Sequence, residues 1–227
     1  MDSDALKRAA AEAAVAEVRD GMIVGLGTGS TAVFAISALG RRVAEGLRIV
    51  GIPTSELTAA QARSLKIPLA TLKEHPEADL DIDGADEVEK STLHLIKGMG
   101  GALLREKIVA SASKRFVVIV DESKLVDRLG EKGAVPVEVS SFGWPVAARA
   151  LRNLHCEPSL RLNSDGSEFL TDGGNYILDC SFGPIADAVT LGREIDSIPG
   201  VIEHGLFVGM ASKVFIGATK GVLQYSK

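Results

Sequence analysis

"MIVGLGTGSTAVFAISALG", residues 22–40, decides how this chain folds. The apolar MIVGL reads as a buried strand, GTGS as a turn, and TAVFAISALG as a helix ending at Gly40. A strand that passes straight into a helix is half of a crossover, and the same alternation continues on both sides. Upstream, residues 3–21 read as a helix, with Ser3 as its N-cap and Gly21 just past its end. Downstream, LRIVGI (47–52) is a strand closed by Pro53, and SELTAAQARSLK (55–66) is a helix. ADLDI (78–82) and LHLIK (93–97) are strands, GALLREKIVASAS (101–113) is a helix, and RFVVIV (115–120) is a strand. Strands alternating with helices imply right-handed crossovers and a Rossmann-like α/β fold, a mostly parallel sheet flanked by helices.

After residue 130 the texture changes. AVPVEVS (134–140), residues 159–182 and residues 205–226 are strand-rich, with NSDGS and TDGGN as hairpin turns. PVAARALRNL (145–154) and IADAVTLGREIDSI (185–198) are helices. The expected organisation is a catalytic domain from 1–130 and 204–227 and a smaller α+β domain from 131–203. The 227 residues suffice for one large domain plus a small one.

Composition narrows the function. Charged residues make up 24% and the formal net charge is −5, without a basic stripe, so nucleic acid is not expected as a partner. The longest purely apolar run, FVVIV (116–120), is far too short to cross a membrane, and the N-terminus lacks the apolar core of a signal peptide. Cys156 and Cys180 form no CxxC, which fits a reducing compartment, so a cytoplasmic protein is expected. His75, His94, His155 and His204 are scattered, with no pair at ligand spacing, and read as surface or packing residues.

Three stretches could carry chemistry. GLGTGST (25–31) lies between strand and helix. Its glycines allow close backbone approach, the helix start offers free N–H groups and a positive dipole end, and Thr28, Ser30 and Thr31 add hydroxyls. This describes a phosphate cradle. It is neither a Walker A loop nor GxGxxG, and a glycine-rich tight turn that binds nothing has the same sequence. DIDGADE (81–87) crowds four carboxylates into seven residues. It fails EF-hand spacing, because the fifth position is Ala85, which leaves a solvated turn or an acid/base site. KGMGGALLREK (97–107) ends a strand at Lys97, turns on glycines and places Glu106 in the first turns of a helix, where a solvent-facing Glu is the plain alternative. All three follow strands of the expected parallel sheet, and ligands bind beyond the C-terminal strand ends of such sheets. Phosphate at one end and acid/base groups at the other describe chemistry on a phosphorylated carbonyl compound.

GLGTGST, DIDGADE, KGMGGALLREK and VDESK (120–124) resemble, in order and spacing, the A-type ribose-5-phosphate isomerases. The resemblance continues through PVEVSSFGW (136–144), TDGGNYILD (171–179) and IPGVIEHGLF (198–207). It implies an aldose–ketose isomerase of pentose phosphate metabolism that uses neither cofactor nor metal, interconverts ribose 5-phosphate and ribulose 5-phosphate, and assembles as a homodimer or homotetramer. Carried over by position, it implies Glu106 as general base through an enediolate. Asp83 and Asp86 would orient hydroxyls and help open the furanose ring. Lys97 would offset charge developing on oxygen. Thr28, Gly29, Ser30 and Thr31 would hold substrate, as would Gly84, Ala85, Gly98, Met99 and Gly100, with Lys124 near the phosphate and Lys7 of DALKRA within its reach. Many members carry KGGG where this chain has KGMG. Asp81 and Glu87, which flank the acidic motif, are expected in solvent. The remaining alternatives are a non-catalytic sugar-phosphate sensor and a deaminase or lactonase on a related fold, the latter expected to use a histidine.

Overall fold

A computed structural model describes residues 2–226. Along the chain the elements are α1 (Ser3–Val15), β1 (Ile23–Leu26), α2 (Ala32–Ala44), β2 (Val50–Pro53), α3 (Glu56–Ser64), β3 (Leu80–Asp83), β4 (Glu87–Glu89), β5 (Leu95–Ile96), α4 (Leu103–Ser111), β6 (Phe116–Asp121), β7 (Leu125–Val126), β8 (Val135–Val139), α5 (Trp144–Arg152), β9 (Glu157–Leu160), β10 (Tyr176–Ser181), α6 (Ala188–Asp196), β11 (Val201–His204), β12 (Leu206–Phe207), β13 (Lys213–Ala218) and β14 (Gly221–Ser226). They form two compact units, one from described residues 2–85, 105–125 and 210–226, the other from 86–104 and 126–209. The smaller unit therefore takes in 86–104, 126–130 and 204–209 besides the expected 131–203, because β4, β5 and β12 pair with one another and not with the main sheet. Residues 1 and 227 of the expected catalytic domain lie outside the described residues.

In the larger unit, six strands run in the order β14-β13-β6-β3-β1-β2. β2, β1, β3, β6 and β13 are mutually parallel, and β14 closes the edge as the antiparallel arm of a hairpin. Alternation along the strands sorts the two faces. Val24 and Leu26 of β1, Leu80 and Ile82 of β3, and Val117 and Ile119 of β6 join Ala10, Ala11 and Ala14 of α1 and Ala35, Ile36 and Leu39 of α2 in one core. Residues between them face the other way. Ile52 of β2 and Val109 of α4 pack together there, with Ile23 of β1 against them.

Local chemistry sets the ends of these elements, not always where the sequence suggested. Asp2, not Ser3, caps α1 by accepting from the Asp4 N–H. α1 stops at Val15, and Arg42 of α2 donates to the carbonyls of Val15 (2.6 Å) and Val18 (2.9 Å), which pins the turn that follows the helix. α2 does not end at Gly40 but runs on to Ala44. A Cβ at Gly40 would stand 2.8 Å from Leu65 Cβ, so this glycine is a close-packing point within the helix. Ser55 caps α3 as its side chain accepts from the Thr58 N–H.

The smaller unit holds two sheets, β11-β8-β10-β9 and β12-β5-β4-β7. Val135, Val137 and Val139 of β8, Leu178 and Cys180 of β10, Ala147 and Leu151 of α5 and Ile195 of α6 form its core. β5, the strand before Lys97, thus belongs to a small antiparallel sheet and not to the parallel one. Among the described residues no helix is long and apolar enough to cross a membrane.

Candidate active site

In the larger unit the candidate residues gather at the C-terminal ends of the parallel strands, the edge where ligands bind in such sheets. β1 leads into the 27–31 turn, which opens α2. Gly29 has φ +118°, a conformation that favours glycine, and a Cβ there would meet nothing within 4 Å. Ser30 is exposed, and Thr31, the N-cap of α2, makes no capping hydrogen bond with its side chain. The Ser30 hydroxyl and the helix start therefore stand at the turn, with buried Thr31 directly behind them. Thr28 behaves differently. Its hydroxyl donates to Ser55 Oγ (2.8 Å) and lies 2.7 Å from Thr54 Oγ1 and 3.1 Å from Thr58 Oγ1. Those bonds tie the turn to the start of α3, so the Thr28 hydroxyl serves the loop instead of adding to the cradle.

β3 reads Leu-Asp-Ile-Asp. Leu80 and Ile82 enter the core with α1 and α2, and Asp81 and Asp83 share the opposite face, both fully buried. Glycines of β1 and the following turn make the space. A Cβ at Gly25 would lie 2.5 Å from Asp81 Oδ1, and one at Gly27 would lie 2.0 Å from Asp83 Oδ1. Asp83 Oδ1 accepts from the N–H groups of Thr28 (3.0 Å) and Gly84 (2.7 Å), which fix the carboxylate in place. A Cβ at Gly84 would lie 3.8 Å from Thr31 Cβ, so the Asp83–Ala85 turn and the cradle adjoin.

α4 brings Glu106 to this face. Val109 Cγ1 would stand 2.7 Å from a Cβ at Gly25, and Glu106, one turn earlier, is 3% exposed. It is not a solvent-facing helix residue. Lys124 is half-buried in the 3₁₀ turn Glu122–Lys124 after β6, which Asp121 caps by accepting from the Ser123 N–H (2.9 Å). α1 crosses β13 where a Cβ at Gly217 would strike the Leu6 carbonyl at 1.9 Å, and Gly217 pairs with Asp121. Lys7 of α1 thus stands at the same edge of the sheet as Lys124.

The smaller unit holds the other candidates. The Lys97 side chain is 2% exposed as a residue, its ammonium 5.4 Å from the centre of the Phe207 ring. Gly98 turns at φ +107°, where a Cβ would press on Leu103 Cβ at 2.9 Å, and the Gly101 N–H closes the turn on the Gly98 carbonyl (3.0 Å). Met99 sits between them without a positive φ and with its side chain in solvent, so the KGMG sequence accommodates the extra side chain. Half-buried Asp86 accepts from the Met99 N–H through Oδ2 (3.0 Å), and Gly100 is exposed beside it.

Two expectations about the acidic motif are overturned. Asp81 is fully buried against Gly25. Glu87 is buried as well, accepting from the N–H groups of Gly130 (2.6 Å), Lys132 (2.7 Å) and Gly133 (2.8 Å). Both give up hydration for fixed surroundings in the fold. The Leu-Asp-Ile-Asp alternation was a signal for Asp81. Nothing near Glu87 announced its partners, which lie more than forty residues ahead.

Asp196, Glu203 and His204 are the one group of three candidate metal ligands within reach of one another among the described residues. The hydrogen bonds argue against a metal there. The Leu206 N–H donates to His204 Nδ1 (3.1 Å), so Nε2 carries the proton of the neutral ring and points at Asp196 Oδ1 (3.3 Å) as a donor.

The family model for ribose 5-phosphate isomerase A (phosphoriboisomerase A) matches residues 50–221. The chain belongs to that family. Ribose-5-phosphate isomerase A of Gloeobacter violaceus is 60% identical over 222 residues, covering 98% of this chain and 96% of that one. Among solved isomerases of the family, ribose 5-phosphate isomerase A from Methanocaldococcus jannaschii superposes with a TM-score of 0.95 at 47% identity, covering 100% of both chains. A D-ribose-5-phosphate isomerase in complex with phospho-erythronic acid superposes with a TM-score of 0.97 at 39% identity, again over 100% of both chains. These relatives favour the isomerase over the deaminase, lactonase and sensor alternatives.

Proposed function

We propose that Glu106 is the general base with which this isomerase interconverts D-ribose 5-phosphate and D-ribulose 5-phosphate. The chain is an aldose–ketose isomerase, and the reaction moves a proton between C1 and C2 through an enediolate. The proton alpha to a carbonyl is weakly acidic, so a fixed base must act beside groups that stabilise the enediolate. The supporting observation is the buried Glu106, carried by α4 across the face of β1 and β3 that also holds Asp83.

In this reading Asp83, fixed by two N–H groups, and Asp86, fixed by one, orient sugar hydroxyls and assist ring opening. Lys97 offsets the charge developing on oxygen. The 28–31 turn, with the Ser30 and Thr31 hydroxyls, holds the phosphate with help from Lys124 and Lys7. Gly84, Ala85, Gly98, Met99 and Gly100 line the substrate with backbone. No step calls for a metal or cofactor.

Incubating the purified protein with ribose 5-phosphate and assaying ketopentose phosphate, with and without EDTA, tests the reading. Product formation indifferent to chelation is expected. A reaction that stops on chelation and resumes with one divalent ion would overturn the metal-free chemistry. A homodimer or homotetramer in the cytoplasm is proposed from the family resemblance, and light scattering on the purified protein tests the assembly.

A further inference from the structure

The turn after Lys97 is held from two sides, both within the smaller unit. On one side stands Arg161, just past β9. Its Nε donates to Asp179 Oδ2 (2.9 Å) and its Nη2 to Asp179 Oδ1, a two-pronged pair with a carboxylate of β10. Nη1 is left to reach the loop, where it donates to the carbonyls of Gly98 (2.9 Å) and Met99 (3.1 Å). Phe169 completes this side. Its ring lies 5.9 Å from the guanidinium carbon, and a Cβ at Gly101 would meet its Cζ at 2.4 Å. On the other side Asp86 accepts from the Met99 N–H.

These bonds grip single peptide planes. The C=O and N–H of a trans peptide point in opposite directions. In the Gly98–Met99 peptide the carbonyl faces Arg161 and the N–H faces Asp86. In the Met99–Gly100 peptide the carbonyl also faces Arg161, which turns the Gly100 N–H away from it. The guanidinium thus fixes two consecutive peptides, and through the first it fixes the carboxylate of Asp86. A cross-strand ion pair that only braced the β9–β10 hairpin would need none of the loop contacts.

We propose that Arg161, aimed by Asp179, is a positioning residue for the isomerase reaction: it holds the Gly98 and Met99 carbonyls so that Asp86 and the loop N–H groups keep one arrangement toward the sugar phosphate. The inference rests on the reading of Asp86 and Lys97–Gly100 as substrate-binding residues. A lysine cannot replace the guanidinium, because one ammonium cannot span a carboxylate and two carbonyls in a fixed plane.

The test measures kcat and KM for ribose 5-phosphate, together with thermal unfolding, in Arg161→Ala, Arg161→Lys, Asp179→Asn and Lys97→Met. Arg161→Ala is expected to unfold cooperatively and to lose on the order of 10²-fold in kcat/KM. Millimolar guanidinium ion should restore about tenfold or more of that loss, the scale of one hydrogen bond to a charged group. Sodium chloride at the same ionic strength should restore none, and Arg161→Lys should stay well below wild type. A folded Arg161→Ala with wild-type kcat/KM overturns the inference, as does a loss that follows the unfolded fraction and ignores guanidinium. Should Arg161→Ala fail to fold, Asp179→Asn decides: a loss of about tenfold in a folded protein supports the inference, and unchanged kcat/KM overturns it. Lys97→Met separates the two levels. If it retains activity, the reading of the loop as substrate-binding fails. If it is inactive while Arg161→Ala is active, only the role of Arg161 fails.

Discussion

Asp83 occupies the space that a side chain at Gly27 would need: a Cβ there would stand 2.0 Å from Asp83 Oδ1 and 2.5 Å from Asp83 Cβ. Gly27 does not have a positive φ, so its backbone would accept alanine and the obstacle is space alone. Gly27→Ala must push the carboxylate away from the Thr28 and Gly84 N–H groups or shift β1. Overpacking of this kind costs about 1–3 kcal/mol of stability, and displacement of a substrate-orienting group by about 1 Å can cost on the order of 10²-fold in rate. Steady-state kinetics of the folded variant, with circular dichroism beside them, check this. Wild-type kcat would show that the position of Asp83 does not matter to turnover.

Glu106→Gln keeps the size of the buried side chain and removes the base. Turnover should fall by at least about 10²-fold with little change in substrate affinity. Loss of solvent-exchange label at C2 of the sugar should accompany the fall, because the same proton transfer governs both. A variant that turns over like wild type would take Glu106 out of the mechanism.

The strand, turn and helix of residues 22–40 were legible because hydrophobic period and glycine punctuation are local properties. Ends and pairings were less so. Gly40 looks like a stop, yet it sits inside α2 because Leu65, twenty-five residues later, needs its space. The apolar run before Lys97 could not say which sheet it would join. An apolar strand in a parallel sheet and one in a small antiparallel sheet read alike.

The candidate site divides in the same way. The cradle stood out through glycine spacing and hydroxyls, whereas Glu106 and Asp83 were picked out by the family resemblance and not by residue type alone. The burial of Glu87 depended on N–H groups at 130–133, and the Thr28 hydroxyl was taken up by Thr54, Ser55 and Thr58. Arg161 gave no signal at all, since a lone arginine beside a hairpin turn is ordinary.

Away from the site, Glu17, just past the end of α1, pairs with Arg115 and with Lys213 of β13. Burial raises its carboxyl, but hydrogen bonds from Lys213 and Arg115 outweigh that and hold its pKa below the ordinary 4.5. A lowered native value means that the folded state favours the anion. The stabilisation is therefore present above the ordinary glutamate range and fades as pH falls through the native value. Glu17→Gln should lower stability by about 1 kcal/mol at neutral pH, allowing for partial exposure. Urea unfolding at neutral pH and near pH 3 checks the sign. The gap between wild type and variant should narrow in acid, and a gap that widened would refute the assignment.

The cradle offers the sharpest discrimination. Ser30 and Thr31 carry the hydroxyls of the 28–31 turn that are not engaged with α3. Replacing both with alanine leaves the backbone N–H groups and the start of α2 in place. A hydrogen bond to a charged group contributes about 1.5–3 kcal/mol. The double variant should then lose on the order of 10²–10⁴-fold in kcat/KM for ribose 5-phosphate, before any coupling between the two positions. Contacts to the phosphate lie remote from C1 and C2, so the energy they release positions the reacting carbons. Unphosphorylated ribose cannot use them, and its poorer turnover should change little. Thr28→Val is the control in the opposite sense. It deletes a hydroxyl that ties the turn to Ser55 and its neighbours, so it should slow both sugars by the same factor and lower the melting temperature. If the Ser30/Thr31 variant instead slowed ribose and ribose 5-phosphate in equal proportion, the turn would shape the site without reading the phosphate.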